Sequence, residues 1–148
     1  MAQLCDKNKC TGCGACLNMC LLGCISMERD ERGFDYPVID KSKCSGCGLC
    51  QKACPEISAL QAKFTDGSEV YNGAITSREE ILLSSSGGIA YGLAKTIIEK
   101  GGVVFGAAYD ENMRVRHICV KSQKDLPLLQ GSKYVQSDIG LCYRQARA

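Results

Sequence analysis

The chain contains the stretch Cys10-Thr-Gly-Cys13-Gly-Ala-Cys16-Leu-Asn-Met-Cys20 and repeats its pattern 34 residues later as Cys44-Ser-Gly-Cys47-Gly-Leu-Cys50-Gln-Lys-Ala-Cys54. Cysteines at every third position let a loop curl around a four-iron cube and offer three of the four thiolates that the cube needs. Glycines on both sides of the second cysteine allow the backbone to approach the cube closely and to adopt positive φ. The repeat therefore predicts two [4Fe-4S] clusters in two similar half-modules.

The fourth cysteine of each run does not easily reach the last corner of its own cube. In two-cluster ferredoxins this cysteine ligates the other cluster, so we expect each cluster to take three ligands from one run and one from the other. The predicted ligands of the first cluster are Cys10, Cys13, Cys16 and Cys54, and those of the second are Cys44, Cys47, Cys50 and Cys20. Pro55 completes the usual form of the second run, whereas Leu21 stands at the same place in the first.

Zinc and disulfides are the alternatives for a chain so rich in cysteine. Zinc ribbons use two C-x-x-C pairs and need no third cysteine in register. Disulfides require an oxidising compartment, and cysteines three residues apart would use them poorly. Cys24, outside the repeat, is interpreted as a small buried hydrophobic residue, with a spare cluster ligand as the alternative. The role of Cys5 stays open.

The composition bounds the class of protein. Among 148 residues, 18 basic and 16 acidic side chains form no polybasic cluster, so we expect neither nucleic acid nor an anionic membrane as a partner. We recognise no secretory signal at the N-terminus and no apolar stretch long enough to span a bilayer. Twelve cysteines without a signal favour metal binding in the reducing cytoplasm.

The predicted fold is of the α+β class: a bacterial-type 2[4Fe-4S] ferredoxin-like module over residues 1–60, followed by a partial α/β domain over residues 68–148. In the module, Cys20 and Cys54 are expected to begin short helices. Ile25 to Met27 and Tyr36 to Ile39 suit short strands with a polar turn over residues 30–33 between them.

The second region alternates strand and helix patterns. The predicted strands cover residues 70–76, 103–109 and 113–120, and the predicted helices cover residues 89–100 and 123–129, with another starting near Ser137 or Asp138. The continuous apolar run at 103–109 is typical of a strand buried on both faces, which needs neighbouring strands and covering helices. Since few are available, we expect the front part of a longer protein, or a domain completed by a partner or a second copy.

Small residues precede the predicted helix at 89–100. Ser84-Ser-Ser-Gly-Gly88 could bind a phosphate through free amides and the helix dipole, or it could be an ordinary serine cap with glycines for close packing. The polar loop at residues 131–137 could contact a cofactor or simply connect two helices.

The whole chain resembles the beta subunit of coenzyme F420 hydrogenase/dehydrogenase, in the variant that carries an N-terminal two-cluster ferredoxin module. Beyond the cysteine runs, four motifs carry the resemblance: Gly33-Phe-Asp-Tyr-Pro-Val-Ile-Asp40, Ser85-Ser-Gly-Gly-Ile89, Gly101-Gly-Val-Val-Phe-Gly-Ala107 and Gly131-Ser-Lys-Tyr-Val-Gln-Ser-Asp138. The resemblance implies a flavoprotein of anaerobes that passes electrons between iron–sulfur clusters, FAD and a deazaflavin or another acceptor. It places Ser85, Ser86, Gly87, Gly88, Lys133 and Tyr134 near the flavin. Relatives continue well beyond residue 148, and this chain alone is not expected to hold a complete catalytic site.

Three functions remain open at this stage. The first is an iron–sulfur electron-transfer segment of a flavin-linked oxidoreductase that works with a redox partner protein or flavin domain. The second is a free ferredoxin-like carrier, and the third is a zinc-binding interaction module. Residues 1–60 hold seven basic and seven acidic side chains, and such a balanced surface suits a tethered module better than a carrier steered by charge.

Overall fold

The computed structural model describes residues 2–58, 67 and 69–147. The chain divides into two compact units: one holds residues 1–64 together with 138–148, and the other holds residues 65–137. Residues 138–148 were predicted to belong to the second domain, whereas in the structure they group with the cysteine-rich unit. The described elements are α1 (Ala15–Met19), β1 (Ile25–Arg29), β2 (Asp35–Ile39), α2 (Leu49–Lys52), α3 (Arg78–Leu82), α4 (Ile89–Glu99), β3 (Val104–Tyr109), β4 (Val115–Val120), a 3₁₀ helix (Gln123–Leu129) and α5 (Cys142–Arg147).

An antiparallel hairpin connects the two cysteine runs of the first unit. Strands β1 and β2 pair from Ile25 opposite Ile39 to Arg29 opposite Asp35, which confirms and extends the predicted strands. The Asp30 carboxylate closes the turn by accepting hydrogen bonds from the backbone N–H groups of Arg32 and Phe34 at 2.9 and 3.0 Å. Asp40 N–H donates to the carbonyl of Cys24 at 2.8 Å, so the hairpin fixes the end of one run beside the start of the other.

Both short helices of the cysteine runs begin one residue after a glycine. Gly14 and Gly48 lie in the left-handed region at φ 69° and 74° and cap α1 and α2. The prediction that Cys20 and Cys54 begin helices was wrong. Cys20 ends α1 in an extended conformation, and Cys54 is followed by turns, because the left-handed glycines start each helix within the run rather than after it.

The core of the first unit is made largely of thiols. Its buried cluster is Cys20, Cys24, Ile25 and Cys50, and half-buried Leu4, Leu17 and Ile39 pack around it. So few aliphatic side chains bury little apolar area, and a bound metal would supply folding energy that this core lacks.

In the second unit, helix α4 and the 3₁₀ helix pack around a hairpin. The helix predicted at residues 89–100 is confirmed to within one residue, and the 3₁₀ helix has the predicted bounds. The buried hydrophobic residues in the described part of this unit are Ala108, Val115, Val120 and Leu126. A Cβ added to Gly106 would lie 3.0 Å from the Leu129 side chain, so this glycine lets the 3₁₀ helix lie close to β3.

Three predictions for the second region differ from the structure. Residues 70–76 form no strand, and among the described residues their backbone hydrogen bond to another segment is the one that the Ile75 N–H donates to the Gly87 carbonyl at 2.8 Å. The apolar run at 103–109 gives a strand in an antiparallel pair with β4 and is only half-buried over most of its length. The last helix begins at Cys142 rather than near Ser137, because Gly140 adopts φ 50° and the Asp138 carboxylate accepts its N–H group at 2.8 Å.

Over the described part of the chain, every helix falls short of the length and apolar character that crossing a bilayer requires.

Candidate metal centres

The first group of predicted ligands lines one cavity. Cys10, Cys13 and Cys16 from the first run meet Cys54 from the second around this space. The apolar side chains of Leu4, Pro37, Pro55 and Ile57 complete the wall. The structure thus brings together three thiols of one run and the last thiol of the other.

The second group lines a separate cavity in the same unit. Here Cys44, Cys47 and Cys50 from the second run meet Cys20 from the first. Cys50 also borders the first cavity, so the two spaces are neighbours. Cys20 and Cys50 are buried, whereas Cys47 is the exposed corner.

Glycines give both loops the curvature that the arrangement needs. Gly12, Gly14, Gly46 and Gly48 all have positive φ, between 65° and 74°. Around this curve, backbone N–H groups face the thiols: the N–H groups of Gly46 and then Ala2 lower the pKa of Cys44. Amides that stabilise a thiolate also stabilise a negatively charged cluster. The sequence fillers and the observed backbone therefore agree.

Burial has the opposite effect on the inner thiols. It raises the pKa of Cys16 to about 11 and also raises the pKa of Cys50. Thiols in such surroundings hold their protons at neutral pH, and a metal must displace them to bind. Occupation of these sites should therefore release protons and become stronger as the pH rises.

A fifth cysteine accompanies each group. In the second cavity, the Cys24 sulfur lies 3.2 Å from that of Cys20, and the Cys24 N–H donates to the Cys20 sulfur at 3.4 Å. Burial opposes ionisation of Cys20, but the hydrogen bonds from Cys24, together with those from the backbone N–H groups of Leu22 and Gly23, outweigh it and lower the pKa of Cys20. The hydrogen bond to Cys20 raises the pKa of Cys24 to about 12, and burial adds to the shift. Cys24 is thus a buried thiol that supports a thiolate at Cys20.

Cys5 borders the first cavity in the same way. Its sulfur donates to the carbonyl of Asp6 at 3.4 Å. Burial, followed by the nearby thiols of Cys54 and Cys10, raises its pKa. The interpretation of Cys24 as a small buried residue is confirmed, since Cys24 is 4% exposed. The sequence left the role of Cys5 open, and its place beside the first cavity comes from the structure.

The donor sets suit a multinuclear centre better than a single ion. Four thiols per cavity are the ligands that [4Fe-4S] clusters use. Among the described side chains, no three His, Cys, Asp or Glu residues converge closely enough to hold one metal ion.

The predicted flavin contacts lie in the second unit and separate into two groups. Ser85, Ser86, Gly87 and Gly88 line a cavity of about 510 Å³ at the start of α4, together with Gly131 and Ser132. This size falls within the range of small-molecule sites. Gly87 also has a packing role, since a Cβ there would lie 2.7 Å from the carbonyl oxygen of Gly73.

Lys133 and Tyr134 do not line this cavity. Lys133 Nζ donates to the carbonyl of Gln130 at 2.7 Å and lies 5.9 Å from the centre of the Tyr109 ring, and desolvation lowers its pKa. The Tyr134 side chain is 92% exposed. The single histidine, His117, was expected to have a structural role, and its Nδ1 lies 2.9 Å from the hydroxyl of Ser137.

Two polar residues escaped the sequence analysis. Asn18 is buried inside the first cysteine run, and its amide donates to the carbonyls of Gly14 and Gly140 at 3.0 and 2.8 Å. Arg144 donates to backbone carbonyls at the end of α1. The two runs differ at this position, because the first has Asn18 where the second has Lys52, and this difference could have drawn attention to Asn18. No sequence pattern, however, predicts a contact between Asn18 and residues more than 120 positions away.

Comparisons with known proteins agree with this site. Residues 9–57 match the family model of a 4Fe-4S dicluster domain, and residues 36–102 match a second family model with the same description. The first match contains both cysteine runs, while the second contains only the run from Cys44 to Cys54. No curated protein matches the chain significantly.

Fold, donor set and family matches define the class of protein: the chain contains a ferredoxin-type 4Fe-4S dicluster domain. It is an iron–sulfur protein that transfers electrons, and electron transfer implies a redox partner.

Proposed function

We propose that the two cavities each hold one [4Fe-4S] cluster with ligands exchanged between the runs. The first cluster would be held by Cys10, Cys13, Cys16 and Cys54, and the second by Cys44, Cys47, Cys50 and Cys20. The observation that carries this proposal is the composition of the cavity walls, where each set of three thiols meets the last thiol of the other run.

Anaerobic reconstitution tests the cluster content. The protein is incubated with iron and sulfide, desalted and analysed for iron, sulfide and zinc, and its reduced form is examined by EPR. We expect about eight irons per chain and the spectra of two interacting [4Fe-4S] clusters. Stoichiometric zinc, or no metal at all, would overturn the proposal and leave a zinc-binding module or an unrelated role.

The exchange of the fourth ligand can be tested separately. A triple variant with alanine at Cys44, Cys47 and Cys50 removes the second site and should keep about four irons in the first. In that background, Cys54→Ala should remove the remaining cluster, whereas the matched Cys20→Ala should retain it. The reverse pattern would show that each run supplies all four ligands of its own cluster.

We further propose that the chain is the electron-transfer segment of a flavin-linked oxidoreductase similar to the beta subunit of coenzyme F420 hydrogenase/dehydrogenase. The second unit would be the front part of its α/β flavin domain. The support is the cavity at the start of α4, where Ser85 to Gly88 lie beside Gly131 and Ser132. Free backbone amides at this helix start favour an anionic group such as the pyrophosphate of FAD.

Electrons would pass singly through the clusters and in pairs through the flavin. A flavin bridges one-electron and two-electron chemistry, whereas each cluster accepts one electron at a time. The clusters need no general acid, base or nucleophile for this step. The balanced charge of residues 1–60 favours a module tethered to its partner. The proposed setting is the cytoplasm, with the chain as a complex subunit or a homo-oligomer.

Titration with FAD, followed by flavin fluorescence, tests the flavin assignment. The test compares this chain, a longer form extended at the C-terminus and the Ser86→Asp variant of each, in which a carboxylate beside the helix start repels the pyrophosphate. We expect tight binding to the extended chain and weaker binding to its variant. If all of these proteins take up both clusters but none binds FAD, a free ferredoxin-like carrier would be favoured instead.

A further inference from the structure

We infer that Arg144 makes the two clusters inequivalent by raising the reduction potential of the cluster ligated by Cys20. This inference rests on the proposed function, because it requires both clusters to be present. It concerns a positioning residue that acts through α1 and the backbone of Cys20.

The guanidinium of Arg144 closes the C-terminal end of α1. Its Nε donates to the carbonyl of Asn18 at 2.6 Å, and its Nη2 donates to the carbonyls of Leu17, at 3.1 Å, and Cys20. The last carbonyls of a helix lack partners within the helix and carry partial negative charge, which suits a cation. Arg144 therefore bonds to the carbonyl of the proposed iron ligand Cys20 and to the carbonyl of Leu17, which also accepts the Cys20 N–H at 3.2 Å.

Asn18 aligns this contact from the other side. Its side-chain oxygen accepts the backbone N–H of Arg144 at 3.2 Å, while its amide bonds to Gly140. Asn18 is 4% exposed, so these bonds are shielded from water. A Cβ on Gly14 would lie 2.3 Å from the Ile139 side chain, which shows how tightly the C-terminal segment packs against the first run.

The second run has a neutral counterpart at the equivalent position. The carbonyl of Cys54 accepts the N–H and hydroxyl groups of Ser58 at 2.9 and 2.7 Å. A hydroxyl and an amide occupy the place that a guanidinium holds at Cys20. The two halves of the internal repeat thus differ at the fourth ligand of each cluster: a positively charged group bonds to the carbonyl of Cys20, and a neutral group bonds to the carbonyl of Cys54.

This difference has a defined electrochemical sign. Reduction adds one negative charge to a cluster, and a nearby cation stabilises the reduced form. The cluster held by Cys20 should therefore accept an electron more readily than the cluster held by Cys54. Electrons entering the module would collect at the second site.

Redox titration of the reconstituted protein, followed by EPR, tests the inference. The variants are Arg144→Gln, which keeps hydrogen-bond donors but removes the charge, Arg144→Lys, which keeps the charge, and Arg147→Gln, which removes an exposed charge from the same helix. The Cys44→Ala variant, with the first site alone, assigns the two signals. Wild-type protein should reduce its second site first.

In Arg144→Gln we expect the reduction equilibrium of the second site to weaken by about tenfold, or about 59 mV for one electron, with a smaller change at the first site. Arg144→Lys should recover most of the shift, and Arg147→Gln should show little. Selective loss of four irons in Arg144→Gln would instead show a purely structural role for the residue and would overturn the inference.

Unchanged potentials in an eight-iron Arg144→Gln protein, equal shifts at both sites, or loss of both clusters together would overturn the inference. None of these results would affect the proposed clusters of the wild-type protein. Failure of the wild-type and Arg147→Gln proteins alike to hold [4Fe-4S] clusters would instead overturn the proposed function, and this inference with it.

Discussion

The two units of this chain achieve compactness by different means. In the described part of the first unit, the main buried cluster has three cysteines and one isoleucine, whereas the second unit buries Ala108, Val115, Val120 and Leu126. A core of thiols gains little from apolar burial and becomes favourable when a metal binds and supplies folding energy. The comparison teaches that one chain can combine a unit dependent on cofactor with a unit dependent on packing.

Loss of a cluster ligand should have the largest effect and should act mainly on the first unit. Cys13→Ala removes a thiol of the first site, so we expect loss of about half of the iron and unfolding of much of the first unit, because metal binding supplies its folding energy. Iron analysis and hydrogen exchange of both units measure this. The control is Cys119→Ala in β4, which should keep all iron, and an eight-iron Cys13→Ala protein would contradict the ligand assignment.

A core substitution in the second unit should have the converse effect. Leu126 is 1% exposed in the 3₁₀ helix, and Leu126→Ala should lower the free energy of unfolding of this unit by about 2–5 kcal/mol while iron content is unchanged. Leu128→Ala is the matched control, since Leu128 is 54% exposed in the same helix. Denaturant unfolding monitored by hydrogen exchange separates the units. Iron loss in Leu126→Ala would show that they depend on each other.

The two glycine caps of the first unit, Gly14 and Gly48, should differ in their tolerance of a side chain. Gly14→Ala and Gly48→Ala both place a side chain at positive φ, which costs about 1–2 kcal/mol. At Gly14 the new Cβ would also meet Ile139 at 2.3 Å, whereas at Gly48 the nearest atom is 3.6 Å away. Thermal release of iron should therefore begin at a lower temperature in Gly14→Ala. Equal release temperatures in the two variants would mean that Ile139 and its segment can shift to admit the new Cβ with little loss of stability.

The smallest expected effect is at the start of α3. The Ser77 hydroxyl accepts the N–H of Glu80 at 3.3 Å, and Ser77→Ala should cost about 1 kcal/mol in the second unit through loss of this cap. Ser77→Asp retains an acceptor and should preserve stability in the same denaturant assay. Iron content should be unchanged in both variants, and a change would show that cluster binding in the first unit depends on the stability of the second.

Local patterns in the sequence predicted the parts of the fold that local forces determine. The hairpin of β1 and β2, helix α4 and the 3₁₀ helix follow from alternation, periodicity and turn residues within a few positions. Residues 70–76 show where this reasoning ends. Their composition suits a strand, but a strand needs a partner, and only Ile75 makes a bridging backbone bond, to Gly87.

The candidate site divides in the same way. The cysteine spacing predicted which thiols would lie together, and the structure places both groups around cavities. Ligation itself stays a prediction until the reconstitution is done. The contacts of Asn18 and Arg144 could not be predicted, because they join single polar residues across more than 120 positions with no repeating pattern.

The exposed position of Cys47 has a consequence for handling the protein. Oxidation of cysteine follows thiolate character and access from solvent, and this corner of the second cavity is the most accessible of the proposed ligands. Before the clusters are inserted, Cys47 should therefore be the first of the proposed ligands to be oxidised. Brief exposure of the cluster-free protein to air would then leave chains that take up iron only at the first site.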